Sequence, residues 1–279
     1  MTTEYLDYRD TGFFSKTVLD YLEGSENLNS LYNVKPIDSS FDELIAQRVK
    51  HPVNRTLLVK VLEEQYSRIS SCGGNIHSKV TENISALKNE ETFTVTTGHQ
   101  LNIFTGPLYT IYKILGTISL SRKLALRYPN KRIIPVFWLA TEDHDFAEIN
   151  HLTLGDKTIS WNLDASGAVG RLSTETIQPI LGKLLSSIGL STYYPLIEQV
   201  LKKAYLNNET LADATRYLYN ELFGSYGLVI IDADEKELKK EFSSIIELDI
   251  LEQNSFNAVQ KRTGNSRQKV TMYKFIHAR

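Results

Sequence analysis

Cysteine is almost missing from this chain: Cys72 stands alone among 279 residues. One thiol excludes an internal disulfide and any multi-cysteine metal site, and it fits a reducing compartment. With Gly73 and Gly74 beside it and no activating base nearby, it reads as an ordinary loop or helix-end thiol. Excess charge of one sign is missing too. The 31 basic and 33 acidic side chains leave a formal net charge of -2, which removes the electrostatic case for general nucleic-acid or membrane binding and favours a small or locally recognised ligand. Long apolar runs are absent, since the longest, Ile133 to Ala140, falls far short of a bilayer span. Residues 1–10 are charged from the start, without the apolar core and cleavage site of a signal peptide. The chain is therefore expected to be soluble and cytoplasmic. Neither an internal repeat nor a low-complexity linker interrupts it.

What is present is enough apolar side chain, 42%, to bury a substantial core. The first ninety residues read as mostly helical. Phe13, Phe14, Val18, Leu19 and Leu22 lie at helical spacing before Gly24, and a second helix starts in the polar stretch Asp38 to Glu43 and stops at Pro52. A third, about Arg55 to Ser70, aligns Leu58, Val61, Leu62, Tyr66 and Ile69, and Ile76, Val80, Ile84 and Leu87 mark a fourth. Then Phe93 to Thr97, rich in β-branched side chains, reads as a strand. From Pro107 a helix is expected, with Leu108, Ile111, Tyr112, Leu115 and Ile118 as its apolar face, ending before Pro129. Ile133 to Ala140 is apolar at consecutive positions, as in a parallel strand covered on both faces.

Further on, Gly155-Asp156 separates two short β-like runs as a hairpin would, and helices return over Thr174 to Asn220 with Pro179 and Pro195 near their starts. Tyr226 to Asp232 is a buried-type strand, and Glu235 to Leu251 reads as one charged amphipathic helix. This order implies an α/β fold with a parallel sheet and helical additions. After Glu252 there are six Lys or Arg residues and no acid, which reads as a short frayed or artificial terminus in preference to a basic arm for an anionic partner.

Polar residues gather after the first two strands, where an open α/β sheet places its ligands. Gly98 to Gly106 supplies His99, Gln100, Asn102 and Thr105 as donors between two glycines that would let backbone approach a ligand, but matches neither standard phosphate loop. A glycine-rich turn with a surface histidine explains it equally well. Glu142, Asp143, His144, Asp145, Glu148, Asn150 and His151 follow the second strand. Carboxylates beside imidazole can fix a tautomer, take a proton from an amine or bind a divalent ion. A metal set would use His144, Asp145 and His151, yet the His-Glu-x-x-His pattern is missing, so no tightly bound metal is expected; Asp143 or Asp145 as a helix cap is the plain alternative. Lys113 could turn back toward a phosphate or simply be solvated. Tyr109 and Tyr112 read as packing groups and Trp138 as core. Asp232 could hold a ribose or amine, or cap the next helix.

Two segments, Thr97-Gly-His-Gln-Leu-Asn-Ile-Phe-Thr-Gly-Pro-Leu-Tyr-Thr-Ile-Tyr-Lys113 and Pro135-Val-Phe-Trp-Leu-Ala-Thr-Glu-Asp-His-Asp-Phe-Ala-Glu-Ile-Asn-His151, closely resemble the bacillithiol biosynthesis cysteine-adding enzyme family, BshC. The likeness runs from the N-terminus to about Gln260. It implies a Rossmann-like parallel-sheet core with a helical N-terminal segment and helical insertions, akin to nucleotidyltransferases and class I aminoacyl-tRNA synthetases. It implies a ligase that joins the carboxyl group of cysteine to the amine of glucosaminyl-malate, with ATP as the expected activating donor and an acyl-adenylate as the simplest intermediate. On this reading Gly98, His99, Gln100, Thr105, Gly106 and Lys113 bind the nucleotide, His99 stabilises phosphate charge, and Asp143, His144 and Asp145 orient or deprotonate the amine.

The family dimerises through a C-terminal coiled coil, which this chain is expected to lack. Residues 1–260 would form the ligase core and 261–279 an atypical basic tail, so a truncated gene product is expected. A metal-dependent hydrolase and a non-catalytic nucleotide- or metabolite-binding fragment are the competing readings.

Overall fold

The computed structural model describes residues 4–35, 40–189 and 191–266. Val53–Phe242 form one compact unit, and the described residues before and after it form a second.

The second unit is helical. Ser15 caps α1 (Lys16–Glu23) by accepting from the Val18 N–H, and Gly24, at φ 70°, ends it in the left-handed conformation that glycine adopts without strain. α2 (Phe41–Val49) carries Asp42 and Glu43 in its first turn; Asp38, expected at its start, lies outside the described residues.

The larger unit opens with α3 (Arg55–Ser71), capped by Asn54, and α4 (Ser78–Ala86). Cys72 ends α3, and burial, followed by Asp213 and Glu209, raises its thiol pKa, so it is an unactivated helix-end thiol. Next come β1 (Thr92–His99), α5 (Leu108–Arg127) and β2 (Arg132–Leu139). A one-turn helix, α6 (Phe146–Ile149), leads into the hairpin β3 (His151–Leu154) and β4 (Lys157–Ser160), which turns at Gly155 with φ 63°. Then follow α7 (Gln178–Ile188), α8 (Tyr194–Leu206), α9 (Leu211–Phe223) and β5 (Val229–Asp232), and α10 (Lys236–Glu241) closes the unit.

The main sheet has the order β1-β2-β5, every pair parallel. β2 is central and buried at each position from Ile133 to Phe137, as its unbroken apolar run requires. α5 packs on β1 and β2, while α3, α4 and α9 pack against β5. Val59, Leu62, Tyr66, Ile114, Ile134, Phe137, Tyr219 and Ile230 belong to the shared core.

Three expectations differ from the structure. The buried face of α5 is Thr110, Ile114, Thr117, Ile118, Ser121 and Leu124, whereas Leu108, Tyr109, Tyr112 and Leu115 are exposed. Short hydroxyl side chains let this helix lie against the sheet, and Ser121 Oγ satisfies itself on the Thr117 carbonyl at 2.8 Å. Trp138 is 39% exposed and packs over Gly98 of the neighbouring strand instead of entering the core. The single helix expected over Glu235 to Leu251 breaks at Phe242 into α10 and α11 (Ser243–Glu252), the latter in the helical unit with α12 (Asn254–Ser266). α11 exposes Ile245, Ile246, Leu248, Ile250 and Leu251, so it has no amphipathic face. Most of the basic stretch 261–279 lies outside the described residues. No described helix is long and apolar enough to cross a membrane.

Candidate active site

The parallel register brings three strand ends into one row. His99 stands opposite Leu139, which stands opposite Asp232. The ladder runs one residue further, with Ala140 N–H donating to the His99 carbonyl and Ala233 N–H to the Leu139 carbonyl, each at 3.2 Å. Polar loops begin immediately beyond this row, at the carboxyl edge where a parallel sheet exposes its backbone to ligands.

The loop after β1 is pegged down by buried Leu101, Ile103 and Phe104. Phe104 N–H donates to Tyr205 Oη at 2.7 Å, and the two rings meet edge-on at 4.7 Å. This anchoring holds two consecutive non-glycine residues, Phe104 at φ 55° and Thr105 at φ 79°, in the left-handed region, at a cost of about 1–3 kcal/mol each. Gly106 follows at φ 60°, and a Cβ there would stand 2.2 Å from Asn102 Cβ. A Cβ on Gly98 would stand 3.1 Å from the Trp138 carbonyl oxygen. Both glycines thus permit close approach to the protein's own atoms.

His99 is half-buried and meets Tyr109 edge-on at 5.8 Å. Its Nδ1 accepts the Gln100 N–H at 2.8 Å, so the neutral ring carries its proton on Nε2 and offers a donor there. Burial first, and the positive charge of Lys113 second, hold this imidazole below its usual pKa. Lys113 turns back from α5 to the loop: its Nζ donates to the Gly98 carbonyl at 2.6 Å and lies 5.1 Å from the Tyr109 ring centre. α5 itself starts at Pro107 without a side-chain cap, leaving helix-terminal N–H groups beside the loop.

The loop after β2 is organised by Asp143. Its Oδ1 accepts the N–H groups of His144 at 2.7 Å and Asp145 at 3.2 Å. Gln100 joins the two loops, since its Nε2 donates to Asp143 Oδ2 at 2.8 Å and to Glu148 Oε2 at 2.5 Å. The Gln100 amide is the main cause that holds the Asp143 carboxyl below the ordinary aspartate range; burial opposes it and the two N–H groups reinforce it. Asp145 is the cap of α6, its Oδ1 accepting Glu148 N–H at 3.3 Å. The side chain of His144 is 89% exposed, with Nδ1 3.8 Å from Asp143 Oδ1. His151 lies on β3, exposed, with Nδ1 3.0 Å from Asn150 Oδ1. Among the described residues, no group of three or more His, Cys, Asp or Glu is placed to hold a metal ion, so His144, Asp145 and His151 do not form the metal set considered from sequence.

A supporting network beneath this loop is less visible in the sequence. Val169 N–H donates to the Asp143 carbonyl at 2.7 Å and Gly170 N–H to the Thr141 carbonyl at 2.9 Å; a Cβ on Gly170 would stand 2.6 Å from Thr141 Cβ. Thr141 Oγ1 donates to Asp232, whose other oxygen takes Arg216 Nη2 at 2.9 Å. Arg216 is 0% exposed and also reaches Asp213 Oδ1 at 2.8 Å. Asp232 is consequently spent on the fold, neither free for a ligand nor a simple cap. Its position at a strand end is legible from sequence, but its partner lies hidden inside a helix that reads as scaffold. Further out, Asp234 takes Arg171 Nε at 2.5 Å and Lys239.

Residues 1–277 match the family model described as "Bacillithiol biosynthesis BshC, N-terminal Rossmann-like domain". Curated relatives from Flavobacterium psychrophilum and Flavobacterium johnsoniae, each named "Putative cysteine ligase BshC", are 44% and 43% identical over 91% and 94% of this chain. A relative of the same name from Bacillus cereus is 26% identical over 80% of it. These matches cover 48%, 49% and 42% of the three relatives, so the chain spans about half the length of the curated relatives it matches. A parallel β1-β2-β5 sheet with polar loops at its carboxyl edge agrees with that description, and the chain belongs to the BshC family through its N-terminal Rossmann-like domain.

Proposed function

We propose that the carboxyl edge of the sheet is the site of a carbon-nitrogen ligase acting in bacillithiol biosynthesis, forming an amide between the carboxyl group of cysteine and the amine of glucosaminyl-malate. The observation that carries this reading is the Gln100 bridge to Asp143 and Glu148, which makes one site of the two loops that hold the family-like motifs. A free carboxylate is a poor electrophile, and ATP is the donor that would activate it. The residues present fit the phosphate end of such a donor: the uncapped start of α5 offers N–H groups, and the Nε2–H of neutral His99 adds a donor without the cost of a buried cation.

Asp143, ionised at neutral pH, is suited to hold the substrate ammonium group. Once that group has lost one proton to solvent, the free amine would attack the activated carbonyl carbon, the phosphate-bearing group on that carbon would leave with the electrons of its bond, and Asp143 would take the second proton that the nitrogen sheds. His144, exposed with Nδ1 3.8 Å from Asp143 Oδ1, adds a second polar group at this lip of the site. Asp145 acts through α6, whose start it caps, and Lys113 acts through the Gly98 carbonyl it grips; both are positioning residues in this reading. Thr105 and Gly106 shape the loop through its left-handed turn.

The test is the thiol product itself, measured by chromatography after incubating the protein with ATP, cysteine and glucosaminyl-malate. Asp143→Asn should lower its formation about a hundredfold or more, as expected for losing a general base. Unchanged formation in that variant would overturn the role of Asp143.

A further inference from the structure

The opposite edge of the sheet carries a cleft of about 620 Å³, bounded by the first turn of α4, the later turns of α5, the start of β2 and the turn that follows α9. At roughly 3.3 Å per residue, an eight-residue strand sets this edge about 23 Å from the row of His99, Leu139 and Asp232. Its lining includes four cations, Lys79, Arg122, Lys131 and Arg132, against one carboxylate, Glu91. Glu91 is taken by Lys131 at 2.5 Å.

The other three cations are fixed by one turn, Gly224–Tyr226 with Gly227. Lys79 Nζ donates to the Ser225 carbonyl at 3.3 Å. The Arg122 guanidinium lies 5.2 Å from the centre of the Tyr226 ring. Arg132 donates from Nη2 and Nε to Asn83 Oδ1 at 2.7 and 3.3 Å, and buried Asn83 in turn donates to the Gly227 carbonyl at 2.7 Å. Gly227 is held at φ 80°, where a Cβ would stand 2.7 Å from Asn83 Nδ2, so this contact requires glycine. A carbonyl, an aromatic ring and an amide orient the three cations without neutralising any of them. One turn thus holds three charged residues of the lining of a single space of ligand size.

We propose that this cleft binds a small, multiply charged oxyanion, the chemistry shared by phosphate-bearing and polycarboxylate metabolites. Arg132, gripped by Asn83 along its Nε–Nη2 side, keeps its Nη1–Nη2 edge for two parallel bonds to such a group. Arg122 and Lys79 supply the remaining charge. The inference is independent of the ligase reading, because it uses none of the residues of the carboxyl edge.

Isothermal titration calorimetry on the full chain at about 0.15 M salt, where weak surface attraction is largely screened, tests it with pyrophosphate and with succinate. Saturable binding at one site is expected, weakened about tenfold or more by Arg122→Gln and by Arg132→Gln and unaltered by Lys157→Gln in the β3–β4 hairpin. Tighter binding of pyrophosphate identifies a phosphate-bearing ligand, and tighter binding of succinate a polycarboxylate. Absence of binding by either anion at millimolar concentration would overturn the proposal. So would binding that survives both arginine substitutions, since the anion would then sit elsewhere. Arg122 is exposed on α5, so its replacement keeps the test valid even if Arg132→Gln fails to fold.

Discussion

His99 and Asp143, on the two loops that Gln100 joins, are both held in their deprotonated forms, and their neighbours set both. The imidazole is kept neutral by burial and by Lys113. Replacing Lys113 with Met should raise the His99 pKa part of the way, leaving it below its ordinary value because burial is the larger cause; an NMR titration of the ring protons measures this. A histidine with a depressed pKa stabilises the fold above its unfolded value near 6.5, and that contribution is lost as pH falls from there through the folded pKa. Asp143 is depressed as well, so its contribution is complete at neutral pH and lost as pH falls below about 4. Gln100→Leu removes the largest cause of that depression and should shrink this contribution, seen as a raised Asp143 pKa in a carboxyl-carbon NMR titration. An unmoved Asp143 would mean that the Gln100 bridge does not operate in solution.

At the scale of elements, two glycines on either side of Pro107 should respond in opposite directions to alanine. Gly116 lies exposed inside α5 with no atom within 4 Å of the place a Cβ would take, so Gly116→Ala should stabilise by about 0.5–1 kcal/mol through helix propensity. Gly106→Ala meets Asn102 and a positive φ and should destabilise by at least about 1–3 kcal/mol; urea unfolding distinguishes the two. Arg216→Met, which strands buried Asp232 at the end of β5, should cost about 3–5 kcal/mol by the same assay.

These elements also mark how far the sequence can be read. β2 and β5 announce themselves because a strand buried on both faces must be apolar at successive positions. The face of α5 is misread from sequence because counting apolar side chains favours Leu108, Tyr112 and Leu115, while close packing on the sheet selects Thr110, Thr117 and Ser121. The two polar loops of the site are legible as clusters. Gln100 as their bridge, and Arg216 as the buried support of Asp232, depend on contacts across 43 and 16 residues of chain that no local pattern encodes.

For the whole molecule, the two edges of the sheet divide the proposed work. The carboxyl edge gathers neutral imidazole, an uncapped helix start and an ionised aspartate; the amino edge gathers oriented cations. A net charge of -2 makes the basic cleft a local feature against an otherwise balanced composition, which favours a small anion over an extended polyanion. The family match places this chain alongside about half the length of its curated relatives, and the ligase proposal rests on what its own strand ends can do. The sharpest test is nucleotide product release by the purified chain. AMP or ADP release is expected only when ATP, cysteine and glucosaminyl-malate are all present, and it should be lost in Asp143→Asn. Release that proceeds equally without the amine substrate, or none with all three present, would contradict the ligase proposal.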